Sequence, residues 1–172
     1  IAPIMTKGLN TYNFGANAYS KPATGLNILR ETIMGRDLFD HAFRTYSQRW
    51  MFKHPTPEDF FRTMEDASAV DLDWFWRGWF FTTDVTDIGI EGVRKFYATN
   101  NTSKEGIDFI EDNSEGLNIT KPTSAKSKYF YEITFNKPGG LVMPIIVEYT
   151  YDDGSKEKKT YPAQIWRYND KK

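Results

Sequence analysis

Tyr19 is the side chain in this sequence whose type and setting first raise a question of chemistry. It opens the run YSKPA at residues 19–23, directly before the apolar-periodic residues of a predicted helix. A neutral phenol has a pKa of about 10, so it can donate a hydrogen bond at neutral pH without losing its proton. Taken alone, a tyrosine in a Tyr-x-Lys context favours packing on a helical bundle. Tyr12 is a competing aromatic residue, but it lacks the lysine two residues on.

The other candidates for chemistry are the two histidines, His41 and His54, and the acidic pairs at 65–66 and 152–153. A catalytic zinc site needs three protein ligands and an open position, and no third ligand is in register with these histidines. We expect His41 to face solvent and His54 to be a hydrogen-bonding loop residue that fixes the start of the third helix. Helix-surface and turn roles explain the acidic pairs, so neither pair is singled out for acid–base catalysis.

Four helices are predicted in the first half of the chain. The first begins near Pro22, since proline suits a first helical turn, and ends at Gly35. The third begins with Thr56 as its cap, and the fourth begins near Asp71. Aromatic residues at 74–79 are expected to pack in a core or against another domain, not to bind carbohydrate. The second helix carries an aromatic stripe at helical spacing, formed by Phe39, Phe43, Tyr46 and Trp50.

The second half of the chain is predicted to be β-rich, which makes the fold class α+β. A strand or two over 88–99 precedes a polar loop at about 99–128. A three-strand meander follows, with strands at 129–135, 141–151 and 157–168 and a hairpin turn at 152–155. We therefore expect a helical domain at 1–84 and a mainly antiparallel β domain at 85–172, sandwich-like or partial.

Three segments, in order, carry a resemblance to a known family. They are residues 19–23 (YSKPA), residues 50–60 (WMFKHPTPEDF) and residues 71–79 (DLDWFWRGW). In order and spacing they resemble the second half of the catalytic domain of M1-family zinc aminopeptidases, over roughly residues 12–84. One departure is that Pro22 stands where the family usually has glycine after the lysine.

The resemblance implies a role for Tyr19. In that family a zinc-bound water attacks the peptide carbonyl, and a tyrosine in a Tyr-x-Lys-Gly-Ala-like turn helps to hold the tetrahedral intermediate. The resemblance thus implies that Tyr19 is the catalytic residue of this chain and that the substrate is a peptide. It also implies that zinc is bound in the full-length parent, by ligands that lie upstream. No His-Glu-x-x-His motif occurs in the sequence, so the chain itself is expected to hold no zinc and to cleave nothing.

The amino-acid composition argues against several other classes of function. Lys and Arg total 22 against 23 Asp and Glu, and these charges are interleaved, which argues against a nucleic-acid-binding surface. The chain has no cysteine, so it has neither disulfides nor thiolate chemistry. It has no apolar run long enough to span a membrane. These features fit the cytoplasm and the periplasm equally well.

Two functions from different classes remain open at this point. The first is the C-terminal part of an M1-like metallopeptidase, whose partner is the upstream catalytic half of the same polypeptide. The second is a non-catalytic module in which the β region binds protein or glycan. An upstream His-Glu-x-x-His motif would favour the first, and upstream adhesin-like repeats would favour the second.

Overall fold

The computed structural model describes residues 2–8, 13–103, 106–111 and 129–167. Helices precede strands along the chain, and the fold class is α+β, as predicted. By their contacts, residues 1–86 and 139–170 group into one compact unit, and residues 87–138 belong to a second. The predicted division after residue 84 differs from this grouping, because the last part of the β-rich region groups with the helices.

Four α-helices are described, and the first is flanked by two π-helical segments. The π-helical segments are Ala16–Ser20 and Leu29–Ile33. The α-helices are α1 (Lys21–Ile28), α2 (Arg36–Trp50), α3 (Pro57–Ser68) and α4 (Asp73–Phe81).

The first helix begins earlier than predicted. Pro22 lies in the first turn of α1, but the π-helical segment Ala16–Ser20 precedes it without a break. The N–H of Lys21 bonds the carbonyl of Ala16, five residues back. In an α-helix the proline ring would clash with the carbonyl four residues before it, and a wider turn relieves that clash. Gly35, with φ of +82°, ends this helix as predicted.

The start of α3 confirms the capping prediction. The Thr56 hydroxyl accepts a hydrogen bond from the Asp59 N–H, and the Asp59 carboxylate accepts from the Thr56 N–H in return. Pro57 occupies the first turn. The N–H groups of Thr56 and Asp59 are therefore each satisfied by the side chain of the other residue.

The fourth helix begins at Asp73, two residues later than predicted. The carboxylate of Asp71 accepts from the Asp73 N–H, and Glu65 on α3 accepts from the Leu72 N–H at 2.8 Å. These side-chain acceptors replace the carbonyl partners that a longer helix would need, so the helix starts after them.

The four helices share one apolar core. Met64 and Leu72 are fully buried in it, as is Leu29 from the end of the first helix. Trp76 is also buried, which confirms the predicted packing role for this member of the aromatic residues at 74–79. Its other buried members are Phe39, Ala42, Phe61, Phe75 and Phe80.

A three-stranded antiparallel sheet lies in the second unit, with strand order β2–β1–β3. Its strands are β1 (Gly89–Ser103), β2 (Gly106–Glu111) and β3 (Tyr129–Asn136). The polar loop predicted at about 99–128 is therefore wrong for 99–103 and 106–111, which lie in β1 and β2, and these two strands pair antiparallel. Ladder hydrogen bonds join backbone groups whatever the side chains are, so a polar composition does not prevent strand formation. Residues 112–128 lie outside the described part of the chain.

A two-stranded antiparallel sheet, β4 (Ile145–Thr150) and β5 (Lys156–Tyr161), lies in the first unit. The predicted hairpin turn is confirmed, with Gly154 at φ of +80°. The predicted meander is wrong, because β3 pairs with β1 and not with β4. The last strand ends at Tyr161 and not at 168, since Pro162 cannot donate to a ladder and a 3₁₀ turn, Ala163–Trp166, follows. A sandwich arrangement of the sheets stays a prediction.

Candidate functional site

Tyr19 lies in the π-helical segment Ala16–Ser20 and is 68% exposed. Its ring meets the ring of Phe14 edge-on, with centroids 6.0 Å apart. Within the described part of the chain, its hydroxyl has no hydrogen-bond partner. The Tyr19 phenol is thus exposed to solvent, and its O–H group is available to donate a hydrogen bond.

Lys21 connects this turn to the end of α4. Its ammonium group donates to the carbonyl of Thr82 at 3.4 Å. Partial burial lowers the pKa of Lys21, because the charged form loses hydration there. Residues two apart on a helix do not share a face, so Lys21 anchors the turn while Tyr19 stays exposed.

A second anchor comes from Trp79 on α4. Its indole N–H donates to the carbonyl of Lys21, with a nitrogen–oxygen distance of 2.9 Å. The indole reaches this carbonyl across Gly25, where a Cβ would lie only 2.2 Å from the indole nitrogen. The Trp79 ring also stacks on Phe75, with an interplanar angle of 9°. The first and third motif segments are therefore in direct contact.

The second motif segment joins the third through aromatic packing. Phe61, which follows it directly on α3, stacks on Trp76 with centroids 4.6 Å apart. Phe60 meets the same indole edge-on at 5.8 Å. The segments at 50–60 and 71–79 thus share one core, and that core supports the helix that anchors Tyr19.

The histidines and the acidic pair at 152–153 take no part in the contacts that join the three motif segments. His41 and His54 are both exposed, which confirms the solvent-facing position of His41. The expected hydrogen bond of the His54 side chain is not found among the described residues. Asp153 accepts from the Ser155 N–H and so has the turn role that was predicted. Tyr12, the competing aromatic residue, lies outside the described residues.

Glu65 makes a specific contact between two helices, beyond the helix-surface role expected for it. Its carboxylate is partly buried where it accepts the Leu72 N–H. Burial raises the pKa of Glu65, and the nearby charges of Asp73 and Asp71 add to that effect. The Glu65 carboxylate joins α3 to the start of α4, so this structural contact explains why an acidic residue lies there.

The described residues do not fit a zinc ion. No group of three or more histidine, cysteine, aspartate or glutamate side chains among them is placed to hold a metal. Across the described ranges, no helix has both the length and the apolar character needed to cross a membrane.

Sequence reasoning missed the contact between Trp79 and the Tyr19 turn. The signal that could have found it is Gly25, an isolated glycine inside a helical pattern. Such a glycine lowers helix stability relative to alanine, and a packing contact is one physical reason for it. The partner of that glycine lies far along the chain, so its identity could not be derived from local pattern.

Comparison with protein-family models found no matching model, and comparison with curated proteins found no significant match.

Proposed function

We propose that these residues form the C-terminal part of the catalytic domain of an M1-like zinc aminopeptidase, together with the start of the β domain that follows it. In this proposal Tyr19 donates a hydrogen bond to the substrate carbonyl oxygen as negative charge develops on it. The upstream half of the same polypeptide supplies the metal ligands, and the substrate is a peptide.

The support begins with the order and spacing of the three motif segments. In the folded chain these segments are not scattered, because Trp79 of the third bonds the backbone of the first at Lys21. Phe61 then links the third segment to the helix that begins in the second. Residues that resemble one catalytic half thus lie around one core.

The observation that carries the proposal is the state of Tyr19 itself. An oxyanion donor must be able to reach the substrate, and it acts best when it is preorganised towards the position where charge develops. The phenol is exposed and without a partner among described side chains, while the backbone two residues on is bonded to α4. π-helical turns such as the one that carries Tyr19 occur frequently at functional sites.

The chemistry assigned to Tyr19 needs no change in its own protonation. A phenol donates its proton as a hydrogen bond and keeps it throughout, so the donor works at neutral pH. Loss of one such donor typically lowers turnover by about 10²- to 10³-fold.

The test uses the whole polypeptide that contains these residues. We expect it to hydrolyse an aminoacyl p-nitroanilide and to lose that activity in a metal chelator. We also expect zinc to restore the activity, and the N-acetylated anilide to remain uncut. Robust folding with no peptidase activity in the presence of zinc, combined with binding to an immobilised protein or glycan, would instead favour the non-catalytic module.

A further inference from the structure

We infer that Trp79 is a positioning residue for Tyr19, acting through the backbone of Lys21. This inference depends on the proposed function for its catalytic consequence. It does not depend on that function for its structural part, which concerns how the phenol is held.

The contact is specific to an indole. The ring nitrogen of Trp79 is 2.9 Å from the Lys21 carbonyl oxygen, a good hydrogen-bond distance. Gly25 leaves the space through which the indole passes, and stacking on Phe75 fixes the plane of the ring. A phenylalanine at position 79 could keep the stacking but could not donate.

The contact matters for Tyr19 because little else holds that side chain. The ring is exposed, and the aromatic ring that it contacts is that of Phe14, which is itself 58% exposed. The position of the phenol is therefore set mainly by the backbone of its own turn. That turn is bonded to α4 through Trp79 and through the weaker Lys21 contact to Thr82 at 3.4 Å.

An oxyanion donor is useful only when it is placed closely. Functional groups must be held within about 0.5 Å of the productive geometry, and misplacement by about 1 Å can cost on the order of 100-fold in rate. Removing the indole N–H should let the Tyr19 turn move relative to α4. We therefore expect Trp79→Phe to lower kcat by roughly 10-fold with little change in KM.

The enzymatic test is a double-mutant cycle on the whole polypeptide, with Tyr19→Phe, Trp79→Phe and the double variant. If Trp79 acts through the phenol, Trp79→Phe lowers kcat in the wild type and not in the Tyr19→Phe background, while its effect on Tm is the same in both. Equal kcat losses in both backgrounds, or no loss in either, would overturn the inference. Trp74→Phe is the matched control, since the Trp74 indole N–H donates to the backbone carbonyl of Asp71, an exposed contact just before the same helix.

A structural test separates this inference from the proposed function. With 3-fluorotyrosine at position 19 of the whole polypeptide, we expect a fluorine resonance that shifts towards the free-peptide position in Trp79→Phe. Benzothienylalanine at 79, which keeps the ring size and removes only the N–H, should give the same shift even if Trp79→Phe is unstable. An unchanged resonance with benzothienylalanine contradicts the inference. Full activity of Tyr19→Phe would contradict the proposed function instead.

Discussion

Gly25 and Trp79 are in such close contact that no side chain larger than hydrogen fits between them. A Cβ at position 25 would lie 2.2 Å from the indole nitrogen and 2.8 Å from a second ring carbon. The glycine is buried on α1, and the tryptophan is on α4. The approach of these two helices at this point therefore depends on the absence of one methyl group.

Gly25→Ala should destabilise the protein, although alanine is the better helix former. Forcing a methyl group into a packed contact typically costs about 1–3 kcal/mol, which is at least as large as the gain of about 0.8–1 kcal/mol in helix propensity. Gly15→Ala is the control, since nothing lies within 4 Å of a Cβ there and its φ of −58° suits alanine. Denaturant unfolding of both variants measures the effect. A stabilised Gly25→Ala variant would show that the contact is loose.

Thr56→Ala should lower the free energy of unfolding by about 1 kcal/mol. The substitution removes the hydroxyl that accepts the Asp59 N–H at the start of α3. Thr45→Ala serves as the control, because that hydroxyl bonds a carbonyl inside α2 and alanine favours the helix. Urea unfolding measures the midpoint and the free energy of unfolding of both variants. Equal midpoints would mean that the Thr56 cap contributes nothing.

Glu65 should make stability fall as pH rises through the mildly acidic range. Its pKa is raised above the usual value of about 4.5, so the folded state holds the proton to higher pH than the unfolded state. Where the folded state binds more protons, stability decreases with rising pH, starting near that usual value and ending above the raised one. Glu65→Gln keeps an acceptor for the Leu72 N–H and removes the titration. Its unfolding free energy should therefore fall less than that of the wild type over this window, and parallel curves would contradict this assignment.

Local features of the fold could be predicted, because neighbouring residues determine them. The Thr56–Asp59 capping box and the turn that contains Gly154 are each complete within a few residues. The hydrogen-bond partners or the backbone conformation of each feature are set by its own residues. Tertiary contacts therefore have little effect on whether it forms.

Strand pairing could not be predicted in the same way. The ladder between Val93 and Ile133 joins segments that are distant in sequence, and hydrophobic alternation does not specify a partner strand. The same limit applies to the candidate site. Tyr19 could be singled out from its motif. The hydrogen bond between Trp79 and Lys21 joins residues that are 58 positions apart, and no local sequence pattern identifies Trp79 as the donor.

The most direct test of the central claim is the kcat of Tyr19→Phe in the whole polypeptide. The exposed ring is kept and only the hydroxyl is removed, so folding and KM should barely change. We expect kcat to fall by about 10²- to 10³-fold, equivalent to about 3 kcal/mol in the barrier. Tyr46→Phe is the matched control, because Tyr46 lies on α2 and packs its ring against Phe60 of α3. Tyr12→Phe tests the competing tyrosine.

The predicted result is a large kcat loss for Tyr19→Phe with both other variants close to wild type. If Tyr19→Phe keeps wild-type kcat, or if it behaves like Tyr46→Phe, the phenol at position 19 is not the oxyanion donor. A loss confined to Tyr12→Phe would likewise contradict the assignment and transfer it to the other tyrosine.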